Sequence, residues 1–437
     1  MTPLRQFGDS PLVRVLALFA LVLVLQVPAC MIGDLARTRE QSRNEAGAEI
    51  ATTWGARQDV IGPLLMVPYR VRYEEKPGKW AFTETRHATF LPETLGVEAT
   101  VETEARRRGI FALPVYRARL NVSGQFAPRA ALAQRLDAAH HYDWERAELA
   151  LYVSDLHALD QQPGLQWNAR TAGFEPGDGG GLRAPAALPE GGGSFTVGLA
   201  LRGTSGLRVA PMGRETRVSL QSNWPHPSFA GAWLPATRAV RPDGFAAAWS
   251  IPYAARGLPS AWSEGRDAEA IAKTLFGVDF LYPVDPYRMS ERSVKYAALF
   301  IGLTFLAVWL FELRAGARVH LIQYLLVGAA LCLFYLLELS LAEHLGFPAA
   351  YALGAAGVTL QVGLYGRSAL GGGARSTALA AGIAGLYALL YLLLRAEDYA
   401  LLIGSGALFA ALSTVMFLTR RLDWGAPRSS AEAPARQ

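Results

Sequence analysis

The sequence predicts a membrane α-helical bundle of six transmembrane helices. It also predicts a large, mainly-β, antiparallel and sandwich-like domain inserted between helices 1 and 2. Three observations predict this. Six long runs are uncharged, or nearly so, and rich in Leu, Ala, Ile, Val and Phe. The segment 58–284 instead shows period-two alternation with turn residues at short intervals. Arginines gather in alternate loops between the apolar runs, as they do on the cytoplasmic side of membrane proteins.

The first apolar run, VLALFALVLVLQVPACMI, follows Arg5 and Arg14. It resembles a signal peptide, but Pro28 fits poorly at a cleavage site and the run continues through Ile32. Residues 1–32 therefore read as a cytoplasmic N-terminus and an uncleaved span over Pro11–Ile32. Residues 33–57 hold good helix formers with sparse apolar positions (Leu35, Ala46, Ile50, Trp54), which predicts a helical stalk.

Alternation begins near Gln58. It recurs at Arg70–Tyr73, Val97–Glu102, Tyr116–Phe126, Ser194–Leu201 and Arg217–Leu220, the pattern of strands with one face buried. The glycine-rich stretch Gly173–Gly193 reads as a loop that divides the domain into two halves. A faint repeat, LPET at 91–94 and LPAT at 234–237, points the same way.

Asp285-Pro286 then reads as a helix start: a capping carboxylate, followed by a residue whose missing N–H costs nothing in the first turn. The helix over 285–313 carries Arg288, Glu291, Arg292 and Lys295, and is uncharged from Tyr296 to Phe311. Snorkelling by Lys295 and Glu312 extends that run towards the roughly 20 residues a span needs. Unbroken, this helix would join the β-domain rigidly to the membrane. Further spans are predicted at 321–341, 347–366, 376–394 and 399–418, with a disordered tail at 419–437. Small residues four apart (Ala380, Ala384, Ala388, then Gly406, Ala410, Thr414) predict close helix packing in the bundle.

Orientation follows from the loops. Arg314, Arg318 and His320 lie between spans two and three, Arg367 and Arg375 between four and five, and Arg420 and Arg421 after the sixth. Both termini are thus expected inside and the β-domain outside. The same bias accounts for the net charge of +5 and the pI near 9.2. Nucleic acid is not expected as a partner, since no basic cluster interleaved with aromatics stands out beyond Arg106-Arg107-Arg108. The two cysteines, Cys30 and Cys332, both fall in apolar runs, which excludes a disulfide framework for the β-domain.

No nucleophile elbow, phosphate loop, dinucleotide fingerprint or zinc spacing occurs. Neither an enzyme nor a cofactor or metal is expected. Glu338, inside the third span, is a functional candidate because a carboxyl in lipid is expensive. Glu343 and His344 lie a turn and a half beyond it, at the outer end. Trp224 and His226 belong to a Pro-flanked aromatic loop, Asn223–Phe229, and Asp285 and Arg288 open the helix that leaves the β-domain.

Several stretches resemble the CreD family of bacterial inner-membrane, cell-envelope-integrity proteins. They are EIATTWGARQDVIGPLLMVPY at 49–69, NWPHPSFAGAWLP at 223–235, VDPYRMSERSVKYA at 284–297 and HLIQYLLVGAALCLFYLLELSLAEHLGF at 320–347. The resemblance covers most of the chain. It departs where Ala342 replaces a serine before Glu343-His344, and where Glu338 replaces an apolar residue. It implies an envelope-associated integral membrane protein. With the orientation read from the loops, the expected surroundings are membrane lipids, and the expected partner of the periplasmic β-domain is an envelope protein or cell-wall component. The resemblance supplies no catalytic residue. The expected role is structural, in envelope stress; the alternatives are a transporter using Glu338 and the outer acidic loops, and a membrane enzyme acting on lipid or cell-wall substrates.

Overall fold

The computed structural model describes residues 11–76, 79–136, 140–177, 181–263, 268–282, 285–315, 319–369, 373–396 and 398–420. Arg318, Glu397 and the tail from Arg421 lie outside the described residues. The chain divides into two units, one formed by residues 1–42 and 284–437 and the other by 43–283. In chain order an N-terminal helix comes first, then the strands, then the remaining helices.

Helix α1 covers Pro11–Trp54 without interruption. The expected span and stalk are therefore one helix, carried past Pro28 and on through the polar stretch after Ile32. Gly55 ends it with φ at +123°. A Cβ there would lie 2.7 Å from the Ala158 Cβ and 2.9 Å from the Arg202 carbonyl oxygen, so only glycine fits this close approach.

Among the described residues, seventeen strands follow. They are β1 (Gln58–Lys76), β2 (Lys79–Phe90), β3 (Thr94–Arg108), β4 (Phe111–Phe126), β5 (Glu148–Val153) and β6 (Gly164–Trp167). Next come β7 (Arg170–Gly173), β8 (Glu175–Pro176), β9 (Leu182–Pro185), β10 (Gly193–Thr204), β11 (Gly206–Val209) and β12 (Glu215–Ser222). The last are β13 (Pro227–Gly231), β14 (Thr237–Arg241), β15 (Gly244–Pro252), β16 (Ala261–Trp262) and β17 (Phe276–Phe280).

One sheet runs β13-β17-β11-β1-β5-β9-β8, with β2 paired to β1 and β16 to β2; the other runs β14-β15-β12-β3-β4-β10-β6-β7. Burial alternates along β3, β10 and β12, so each strand gives one face to the core. Residues of both sheets, including Leu65, Phe90, Tyr116, Leu201, Trp249 and Phe276, form one continuous apolar cluster.

Pairing is antiparallel except at β1/β11 and β3/β12, which run parallel. Parallel neighbours need a long crossover, and the chain between β3 and β12 supplies one. Strands from both sides of Gly173–Gly193 enter both sheets.

The helical unit contains α2 (Pro286–Lys295), α3 (Ala297–Ala315), α4 (Leu321–Leu345), α5 (Phe347–Ala369), α6 (Gly373–Arg395) and α7 (Ala400–Thr419). Among the described residues, five helices are long and apolar enough to cross a membrane, or six if the pair α2/α3 counts as one span. That pair is bent by 49°, so the helix expected to run unbroken over 285–313 is broken at Tyr296. There the Tyr296 N–H bonds the Ser293 carbonyl three residues back, tightening the last turn of α2. The polar α2 and the apolar α3 thus take separate directions.

The packing of small residues follows expectation only in part. Ala380 meets Gly363 of α5, where a Cβ would lie 3.1 Å from the Ala380 Cβ, but Ala384 and Ala388 are exposed, as are Gly406, Ala410 and Thr414. A further close approach occurs at Gly328 of α4, where a Cβ would lie 2.2 Å from Leu25 Cδ1 and 2.9 Å from Phe305 Cζ.

Candidate functional site

In the helical unit, polar side chains collect at three levels. At one end, Arg14 pairs with Glu312 at 2.5 Å and donates to the Val319 carbonyl at 2.7 Å. The Tyr324 hydroxyl donates to the other Glu312 oxygen at 3.0 Å. Glu312 is only 5% exposed: it is held by an arginine and a tyrosine and does not snorkel outward. A buried carboxylate in an apolar bundle needs such partners.

Further along α1, Arg37 pairs with Glu291 at 3.0 Å, and Lys295 reaches the same carboxylate at 3.3 Å. Glu343 accepts from the Tyr287 hydroxyl at 3.2 Å and has Arg39 at 3.8 Å. The start of α1 therefore meets the end of α3 and the start of α4. The later part of α1 meets α2 and the end of α4, so α1 and α4 run in the same direction.

Between these ends lies Glu338, fully buried in α4. Ser293 of α2 donates to its Oε2 at 2.8 Å. Ser290, one turn earlier, approaches the same carboxyl. Among the described residues, Glu338 Oε1, the Ser290 hydroxyl and the Tyr335 and Tyr387 hydroxyls have no hydrogen-bond partner. Tyr287, Ser290 and Ser293 follow each other at helical spacing on one face of α2. That face meets α4 through two hydroxyl–carboxyl bonds, Tyr287–Glu343 and Ser293–Glu338.

Asp285 caps α2 by accepting from the Tyr287 N–H at 3.0 Å, with Pro286 behind it, and Arg288 points away, exposed. His344 is exposed too, so Glu343 and His344 are neighbours in sequence without sharing a site. Glu338 and Glu343, both on α4, each meet a hydroxyl of α2. Sequence reading missed Ser293, Tyr287, Arg39 and the Arg14–Glu312 pair. The signal present was one arginine in the first turn of an apolar helix and one glutamate in the last turn of another.

In the strand unit, the loop after β12 is pinned by Asn223. Its Oδ1 accepts from the Thr103 N–H at 2.8 Å and from the Thr103 hydroxyl at 2.7 Å, and its Nδ2 donates to the Thr103 carbonyl at 3.1 Å. Trp224 is buried, donates through Nε1 to the His226 carbonyl at 2.9 Å, and meets Tyr282 edge-on at 5.3 Å. Burial raises the Tyr282 hydroxyl above its ordinary range, against the nearby charge of Arg107. His226 stays exposed, carried on this braced turn. Among the described residues no group of three or more His, Cys, Asp or Glu is placed to hold a metal.

The family model described as "Inner membrane protein CreD" matches residues 10–425. The chain belongs to this family. It is 33% identical over 432 residues to the inner membrane protein CreD of Escherichia coli (strain K12), covering 95% of this chain and 94% of that one. Among solved structures, a Legionella pneumophila aminopeptidase A overlaps 44% of this chain and 21% of its own, at 9% identity and a TM-score of 0.21. An M1 zinc metallopeptidase of Deinococcus radiodurans overlaps 48% and 54%, at 10% identity and the same TM-score. Overlaps this slight carry no inference about fold or activity.

Proposed function

We propose that this chain is a non-catalytic inner-membrane protein of the cell envelope. It holds its strand unit in the periplasm, keeps both termini in the cytoplasm, and offers a rigid surface to an envelope protein or a cell-wall component. The observation that carries this reading is the braced turn at Trp224–His226. Asn223 fixes its base to β3, the indole fills its interior, and the imidazole stands edge-on to the indole and exposed. A loop held this firmly loses little entropy on binding, which favours recognition by a preformed surface. The arginine bias at the Arg14, Arg367 and Arg420 end supports the orientation. The hydroxyl–carboxyl bonds from α2 to Glu338 and Glu343 tie the segment after the strand unit into the bundle.

Cysteine labelling tests the placement. In a Cys30→Ser, Cys332→Ser background, Glu175→Cys is expected to react with an impermeant thiol reagent in intact spheroplasts, and Ala374→Cys only after lysis. The reverse pattern refutes the orientation. A photo-crosslinker at His226 is expected to capture an envelope component; failure there, with the labelling as expected, leaves the topology and removes the role given to the turn.

A further inference from the structure

Helices α5 and α6 meet at two levels and stand apart between them: the Tyr351 hydroxyl donates to the Tyr387 carbonyl at 2.7 Å, with the Tyr391 ring 5.2 Å from that of Tyr351. At the other contact, a Cβ on Gly363 would lie 3.1 Å from the Ala380 Cβ, and the Ser376 hydroxyl donates to the Gly363 carbonyl. Beyond it, Ala352, Ala356, Ala384 and Ala388 are too small to bridge the gap, leaving a groove of about 740 Å³. A volume of this size lies within the range of small-molecule sites, roughly 300–1,000 Å³. Its lining is aliphatic and aromatic for most of its length, with Arg367, Ser376 and Thr377 all at one end. Tyr387 lies in the wall, 2% exposed, with a hydroxyl that meets no partner among the described residues.

We propose that this groove binds an anionic glycerophospholipid, its phosphate at Arg367 and one acyl chain laid along Ala384 towards Tyr387. The lining is cationic at one end only; beyond it the wall is mainly aliphatic and aromatic, with Thr359 among the alanines, which is the pattern of an amphiphile and not of a helix. From Ser376 to Tyr387 the helix advances about 16 Å, half of a hydrocarbon core of about 30 Å. That is the reach of one leaflet's chain. Basic pockets between transmembrane helices select anionic headgroups by the same electrostatics. The inference stands apart from the role proposed for the strand unit and from the orientation of the chain.

The test uses full-length protein in mild detergent, titrated with dioleoyl phosphatidylglycerol or dioleoyl phosphatidylcholine and read by native mass spectrometry. One phosphatidylglycerol is expected to be retained about fivefold more tightly than phosphatidylcholine, the preference one arginine supplies. Arg367→Gln is expected to erase the preference while a chain is still held. Ala384→Trp and Ala388→Trp are each expected to abolish retention, with melting in lipid-free detergent unchanged. Equal retention of the two lipids by the unaltered protein overturns the proposal. So does full retention by both tryptophan variants, or a dimer that Ala384→Trp dissociates without loss of lipid. Should one tryptophan variant fail to fold, the other and Arg367→Gln decide.

Discussion

Replacing Arg256 by methionine removes a buried cation that ties its own turn, residues 253–260, to the segment at Met212 and Gly213. Arg256 ends the helical turn Tyr253–Arg256 and is 2% exposed. Its Nη1 donates to the carbonyls of Met212 at 3.0 Å and Gly213 at 2.8 Å. Its Nη2 donates to those of Leu258 at 3.2 Å and Pro259 at 3.3 Å. Burial lowers its pKa to about 10, still far enough above neutrality to keep the charge. Methionine fills much of the volume but leaves the buried Met212 carbonyl without this donor, and the Gly213 carbonyl with only the Thr216 hydroxyl at 3.3 Å. An orphaned buried group costs about 1–3 kcal/mol, and removing the buried charge returns part of that. The expected net loss is about 2–4 kcal/mol. Eight of the ten tryptophans lie between Arg43 and Pro283, so fluorescence of the full-length protein in detergent reports mainly on this unit. With a urea m-value of about 2 kcal/mol/M, the midpoint falls by about 1–2 M. Arg256→Lys keeps the charge but not the planar fork, and is expected to recover only part of the loss. A shift below about 0.3 M for Arg256→Met, on the same m-value scale, refutes the clamp.

Two further outcomes are expected. Gly328→Leu forces side-chain atoms into the space held by Leu25 and Phe305, and is expected to destabilise the helical unit by about 2–3 kcal/mol. Thermal melting in detergent checks it, with Gly302→Leu, where a Cβ meets nothing within 4 Å, as the tolerated comparison. Tyr116 is buried, donates to the Gly206 carbonyl at 2.7 Å, and has its pKa raised by burial. The unfolded chain therefore loses this proton from about pH 10, while the folded chain keeps it. Stability must then fall with pH by up to about 1.4 kcal/mol per unit above that point. Tyr116→Phe is expected to flatten this slope in alkaline urea titrations while costing about 1 kcal/mol at neutral pH; an unchanged slope counts against it.

Much of the layout was legible because it is written locally. Asp285-Pro286 caps α2, a carboxylate next to a residue with no N–H to lose, and no distant segment is needed to see it. The alternation of β3 and β10 is present in the residues themselves, since a strand with one buried face must repeat every two. The apolar runs of α4 to α7 are equally self-contained, because lipid asks only for length and lack of charge. The break at Tyr296 was hidden, since every residue across it favours or tolerates helix. It depends on α2 turning its hydroxyls towards Glu338 and Glu343 of α4.

Which segments enter lipid, which alternate as strands, and where the helix after the strand unit begins are all set by neighbours a few residues apart. Folding in three dimensions was needed to lay β1 parallel to β11, to bring Arg14 to Glu312 and Ser293 to Glu338, and to close Arg256 on Met212 and Gly213. Each of those joins elements through a register or a rotation about a helix axis. Local periodicity fixes the face a segment buries, but not the partner that covers it.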